Sequence, residues 1–141
     1  MNCTIDNAAL SITAREIPSD ERLRILPKHF GRHMLIVEQT IYGFMRRLAP
    51  EYTGGYWHYI ELSNGGFYMA PAQEEPFRIQ VDGNGFDDTM SAPAAGITVC
   101  LFALSHLSFR LEHESISTHF HTLRDFALSH AEASAILAAI D

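Results

Sequence analysis

Eight histidines, seventeen carboxylates and two cysteines are the side chains of this 141-residue sequence from which metal or acid–base chemistry would have to be built. Their spacing argues against most of it. His29 and His33 are four apart, the separation that puts two ligands on one helix face, but Pro27 and Gly31 interrupt a continuous helix there. His113-Glu114 opens like the zinc motif HExxH, yet position 117 is serine. His119 and His121 are two apart, and on a helix they point to different faces. Cys3 and Cys100 are too few and too distant for a zinc ribbon or a disulfide framework. Neither cysteine has neighbours that would activate a thiolate. There is no GxSxG elbow and no phosphate-binding P-loop. Gly83-Asn84-Gly85 begins like a dinucleotide loop, but Asp88 stands where the third glycine belongs. The same segment fails as a calcium loop, with Phe86 at a ligand position. The expectation is a protein without catalytic residues, metal, cofactor or small-molecule substrate. A metal-dependent hydrolase using the histidines is the alternative.

Recognition chemistry is better represented. Trp, Tyr and Arg are the residue types enriched at interface hot spots. Trp57, Tyr59 and Tyr68 fall around Glu61, while Arg46 and Arg47 fall together at a predicted helix end. Each has a plain structural reading as well: the aromatics can lie beneath a C-terminal helix, and the arginines can complement a helix dipole and its unpaired carbonyls. Asp141 follows the last predicted helix and sets negative charge at that helix's negative pole, a local rule broken without visible compensation. The candidate partner-contact residues are therefore Arg46, Arg47, Trp57, Glu61, Tyr68 and Asp141.

The elements that would hold these residues follow from periodicity. Leu10–Ile17 alternates weakly and reads as an edge strand; Pro18-Ser19-Asp20 starts a short helix carrying Leu23 and Leu26 on one side, which Pro27 ends. From Arg32, Met34, Val37, Ile41, Met45 and Leu48 recur at helical steps until Pro50 forbids helical geometry at Ala49. Gly43 inside that helix points to close packing against another backbone. Asn64-Gly65 is the favoured pair for a two-residue type I′ turn. That turn sets Leu62 opposite Phe67, Ile60 opposite Met69, Glu61 opposite Tyr68 and Tyr59 opposite Ala70, with Ile60, Leu62, Phe67 and Met69 facing the core. Phe77–Val81 extends the same sheet, and 82–85 turns the chain out of it. Ser91 caps a helix through Leu101, Leu104 and Leu107; Ile116, Phe120, Leu123 and Ala127 mark another, and Ala131–Ile140 a last one. Strands followed by helices predict an α+β fold: one compact domain over 1–141, with an antiparallel hairpin at about 55–70 and a strand at about 77–81 packed against several helices.

Hydrophobic residues at 47% and charged residues at 19% fit a globular chain. Thr89–Phe109 has no charged residue, but Pro93, Gly96, Ser105, His106 and Ser108 divide it, so a buried helix is expected rather than a membrane span. The N-terminus has neither the basic nor the apolar part of a signal peptide, which makes the expected compartment cytoplasmic. In that compartment Asn2-Cys3-Thr4 matches a glycosylation pattern by chance. The net charge is −7, divided as +2 over residues 1–48 and −9 over 49–141. Such a surface repels phosphate, and no nucleic-acid partner is expected.

The segments PKHFGRHM (27–34), RRLAPEY (46–52), GGYW (54–57), ELSNGGFYMAP (61–71), AAGITVCLFALSHL (94–107) and DFALSHAEAS (125–134) together resemble the ArdB/KlcA antirestriction family across nearly the whole chain. Ala49 departs from a cysteine, and His58 from an acidic residue, common in that family; neither disturbs the helix-to-hairpin frame. The resemblance implies a plasmid-type inhibitor of type I restriction–modification systems that protects incoming DNA, with the host restriction complex as direct or indirect partner. Ten basic residues dilute the seventeen acidic ones, so indirect inhibition is expected over imitation of DNA. A generic protein-binding module unrelated to restriction is a further alternative.

Overall fold

The computed structural model describes residues 11–141, so Cys3 and the Asn2-Cys3-Thr4 triplet lie outside the described residues. The element order is β1 (Ala14–Glu16), α1 (Arg22–Phe30), α2 (Met34–Leu48), β2 (Trp57–Leu62), β3 (Phe67–Pro71), β4 (Phe77–Val81), β5 (Phe86–Met90), α3 (Ala92–Leu111), α4 (Glu114–Leu128) and α5 (Ala133–Ile140). This is the expected α+β arrangement.

Two helix boundaries show how local chemistry decides. α2 ends at Leu48 because Ala49, before proline, takes extended geometry (φ −113°, ψ 96°). α1 instead runs through Pro27 and stops at Gly31, where φ is +52°. Proline frees the carbonyl of the residue four earlier; here that residue is Leu23, 94% exposed, where water can satisfy the group. The buried side of α1 is Ile25, Leu26 and Phe30, without the expected Leu23.

The hairpin differs from expectation by one residue. Tyr59 faces Met69, Ile60 faces Tyr68 and Glu61 faces Phe67. Ser63, Asn64 and Gly65 form a three-residue loop: Gly65 N–H donates to the Leu62 carbonyl (3.0 Å), and Leu62 N–H donates to the Gly66 carbonyl (2.9 Å). Only Gly65 has positive φ (+89°), the arrangement of a type I turn followed by a left-handed residue. A one-residue slip changes which side chains share a face. Trp57, Tyr59, Glu61, Phe67 and Met69 therefore stand together, and Ile60 and Tyr68 stand on the reverse.

β1 pairs antiparallel with β2, giving a sheet of order β1-β2-β3. Contrary to expectation, β4 does not extend that sheet; it pairs with β5 as a separate two-stranded sheet. The free edge of β3 is covered by α3, which removes an open row of backbone groups. Gly96 permits the approach: a Cβ there would lie 2.4 Å from Ala70 Cβ and 2.5 Å from the Met69 carbonyl. The Cys100 thiol donates to that same carbonyl at 3.6 Å. Ser91 caps α3, its Oγ accepting from Ala94 N–H at 3.2 Å.

Among the described residues, α3 is long and apolar enough to cross a membrane by composition, but two-thirds of its apolar window (67%) is buried inside the molecule. It packs on β3, α2, α4 and α5 and is the core helix. The tips of both hairpins are tied to helices by asparagine. Asn64 Nδ2 donates to the Thr122 carbonyl of α4 (2.8 Å), and Asn84 Nδ2 to the Ala139 carbonyl of α5 (2.9 Å).

Candidate protein-contact site

The inner face of β2 packs against α1 and α2, and it is where three of the chemistry-bearing residues go: Trp57, Tyr59 and Glu61. Trp57 is 3% exposed; its indole donates to the Tyr52 hydroxyl at 2.9 Å, and its ring meets Tyr42 edge-on at 5.1 Å. Tyr59 donates to Glu38 at 3.1 Å. Arg22 lies over the Tyr59 and Tyr56 rings, 4.2 and 4.5 Å from their centroids, and donates to the Trp57 carbonyl at 2.8 Å. Burial, with Glu38 beside it, raises the Tyr59 phenol pKa.

Glu61 is not enclosed by aromatics. Its Oε2 lies 2.7 Å from both Lys28 Nζ and His29 Nε2. The hydrogen bond from Lys28 is the main reason its pKa falls below the ordinary carboxylate value. Behind it His29 meets His119 at 5.1 Å, and Phe30 and Phe67 close the pocket. Desolvation lowers both histidines, His119 to about 4. This is a neutral, packed histidine pair.

Tyr68 lies on the reverse of the sheet, 6% exposed and stacked on Phe126 of α4, with burial pushing its phenol up to about 12. Of the two readings of these aromatics, burial beneath a C-terminal helix describes Tyr68, while Trp57 is buried beneath the N-terminal helices. The one-residue register shift separates the two, and helices from opposite ends of the chain cover them.

Arg46 and Arg47 are exposed, as is Asp141 at the end of α5. The two arginines diverge, since neighbours on a helix are about 100° apart. Arg47 lies over the Phe44 ring (5.6 Å) and lines a groove of about 290 Å³ with Thr40, Gly43, Phe44 and His106. The groove runs between α2 and α3, which are antiparallel: Phe44 stacks on Phe102 at 5.6 Å, while His33 meets His113 at 5.0 Å. Gly43 does not touch another backbone, as its position had implied. A Cβ there would meet nothing within 4 Å.

The remaining histidines divide between surface and packing. His58 Nδ1 lies 3.0 Å from Glu16 without hydrogen-bond alignment. His113 Nδ1 accepts from Ser115 N–H at the start of α4 (3.3 Å). Among the described residues, no three His, Cys, Asp or Glu side chains converge as a metal site. Cys100 is buried and its thiol is pushed up to about 12, far from an activated thiolate. Missed in the sequence were Arg22, Glu38 and Lys28, whose partners are 21 to 35 residues away; no local pattern marks such pairings.

The site defines a class no narrower than an α+β domain whose hairpin aromatics are packed beneath helices and whose α2–α3 groove carries Arg47. Its lineage is decided by comparison. The profile of a family described as "Antirestriction protein" matches residues 50–141. The Escherichia coli protein named antirestriction protein KlcA is 47% identical over 137 residues, covering 92% of this chain and 94% of KlcA. An uncharacterized protein of E. coli strain K12, YafX, is 40% identical, covering 92% of this chain and 88% of its own length. A solved structure superposes with a TM-score of 0.86 at 45% identity, covering 92% of this chain and 95% of the other. That work describes KlcA and ArdB as having a novel fold and antirestriction activity against type I DNA restriction systems in vivo but not in vitro. The chain belongs to the antirestriction protein family.

Proposed function

We propose that this protein relieves type I restriction inside the cell by contacting a protein, with no chemistry of its own and without imitating DNA. The observation that carries this reading is that KlcA and ArdB have activity against type I systems in vivo but not in vitro. An inhibitor that filled the DNA groove of the restriction enzyme would need nothing else, whereas an indirect inhibitor needs a component that only the cell supplies. The carboxylates support the same view. A DNA mimic requires ordered rows of free negative charge, but here Glu61 is held by Lys28 and His29, Asp87 by Arg78, and Glu21 by Arg15. Arg46, Arg47, Glu61 and Asp141 are the proposed contact residues at the surface, with Trp57 and Tyr68 supporting the sheet from within. The working compartment is the cytoplasm, and a plasmid-borne protector of incoming DNA fits the role. Phage plating on a type I restricting host, with and without the gene, tests the reading. Restored plating is expected; equal plating at verified expression would overturn it.

A further inference from the structure

Gly43 stands in the interior of α2, where glycine costs about 1 kcal/mol relative to alanine. The usual reasons for such a residue are absent: its φ is not positive, and no atom occupies the space a side chain would take. What its lack of a side chain does is open the α2–α3 groove. Two turns along α2 on the same side is Ile36, 37% exposed, and Phe109 of α3 is 82% exposed. The pairing of Phe44 with Phe102 and of His33 with His113 brings Ile36 and Phe109 to the same level. The strip from Ile36 to Arg47 is about 16 Å long, three helical turns.

Charge identifies the occupant. The chain carries a net −7, yet the residues lining the groove include no carboxylate, and Arg47 stands at one end. Beyond that lining, toward the other end of the strip, Arg110 follows Phe109 and is exposed, with exposed Glu112 and Glu114 after it. Neither arginine has an ion-pair partner among the described residues. An apolar strip with Arg47 at one end and Arg110 near the other is complementary to an amphipathic helix whose apolar anchors are flanked by carboxylates. Duplex DNA fits poorly: the cations are few, the floor is aromatic and the remaining surface repels phosphate.

The geometry points to the α2–α3 groove as the docking site for an acidic amphipathic helix of a protein partner, with Gly43 as the notch that admits its anchor and Arg47 as its charge contact. The assignment deepens the antirestriction reading and rests on it only for which process the partner serves.

Two variants and a cross-linker test it in cells carrying the full-length protein and a type I system. Gly43→Leu fills the notch and favours the helix, so its melting temperature should equal or exceed the parent's while protection of phage falls at least about tenfold, the loss of one hot spot. Arg47→Glu should lose protection similarly, and Arg32→Glu, exposed but outside the groove, should not. A photo-reactive phenylalanine at Thr40 should cross-link to an acidic helical segment mapped by peptide sequencing. Arg47→Glu should abolish that cross-link, and changing the mapped carboxylate to lysine should restore it. Stable variants that protect like the parent overturn the assignment. So does a cross-link to DNA or to a second copy of this chain, or none at all. If the parent itself fails to protect, the antirestriction reading falls, and the cross-link pattern still decides the groove.

Discussion

His119 is 8% exposed, with Nε2 bonded to the His29 carbonyl (3.2 Å) and Nδ1 buried without a partner. Its folded pKa of about 4 lies below the ordinary 6.5, so the unfolded chain binds the extra proton first. Stability from this group is complete above about pH 6.5 and is lost as pH falls toward 4, by up to about 3 kcal/mol. His29 is shifted the same way, and Glu61, whose pKa is depressed, also loses its contribution on acidification. Urea titrations between pH 7 and 4 should show a falling midpoint, and His119→Gln should flatten the slope; an unchanged slope would refute the assignment. At the hairpin, Gly65→Ala should cost about 1–2 kcal/mol because φ is +89°. Asn64→Ala should cost about 1 kcal/mol for a different reason, the lost bond to the Thr122 carbonyl. The dipeptide Asn64-Gly65 made a turn legible in the sequence. It did not reveal that Ser63 belongs to the loop, because the asparagine is used 58 residues away, on α4.

Helices were the most legible elements, since their buried stripes are written into spacing: Val37, Ile41, Met45 and Leu48 all prove buried. Strand association was less so. Phe86–Met90 reads FDDTM, with only Met90 buried, so it looks like loop until Phe77–Val81 is seen pairing with it. Glycines inside helices were also ambiguous, because the penalty is the same whatever its reason. The structure distinguishes two cases. Gly96→Ala would drive a Cβ into the backbone of β3 and should destabilise by about 1–3 kcal/mol. Gly43→Ala opens onto solvent and should stabilise by up to about 1 kcal/mol. Thermal melts of the two single variants check this, and a destabilising Gly43→Ala would remove the argument that the notch is structurally idle.

For the molecule as a whole, charge separates the proposed mechanism from DNA mimicry. Glu74, Glu75, Asp82 and Asp88 are exposed and make no ion pair among the described residues, so they are among the carboxylates a mimic would use against a cationic DNA channel. They lie on the β3–β4 connection and the β4–β5 hairpin, whereas the α2–α3 groove has no carboxylate in its lining. Changing all four to their amides moves the net charge from −7 toward neutrality while touching no core residue, so stability should shift within the roughly ±0.5 kcal/mol of ordinary surface substitutions per site. A mimic would lose most of its protection, because the match of its negative charge to the enzyme's cationic channel is the source of its affinity. A protein that works through the α2–α3 groove should protect phage within about twofold of the parent, a change too small to be a hot-spot loss. Plating efficiency at matched protein abundance distinguishes the two, and a loss on amidation alone would return the mechanism to electrostatic imitation of DNA.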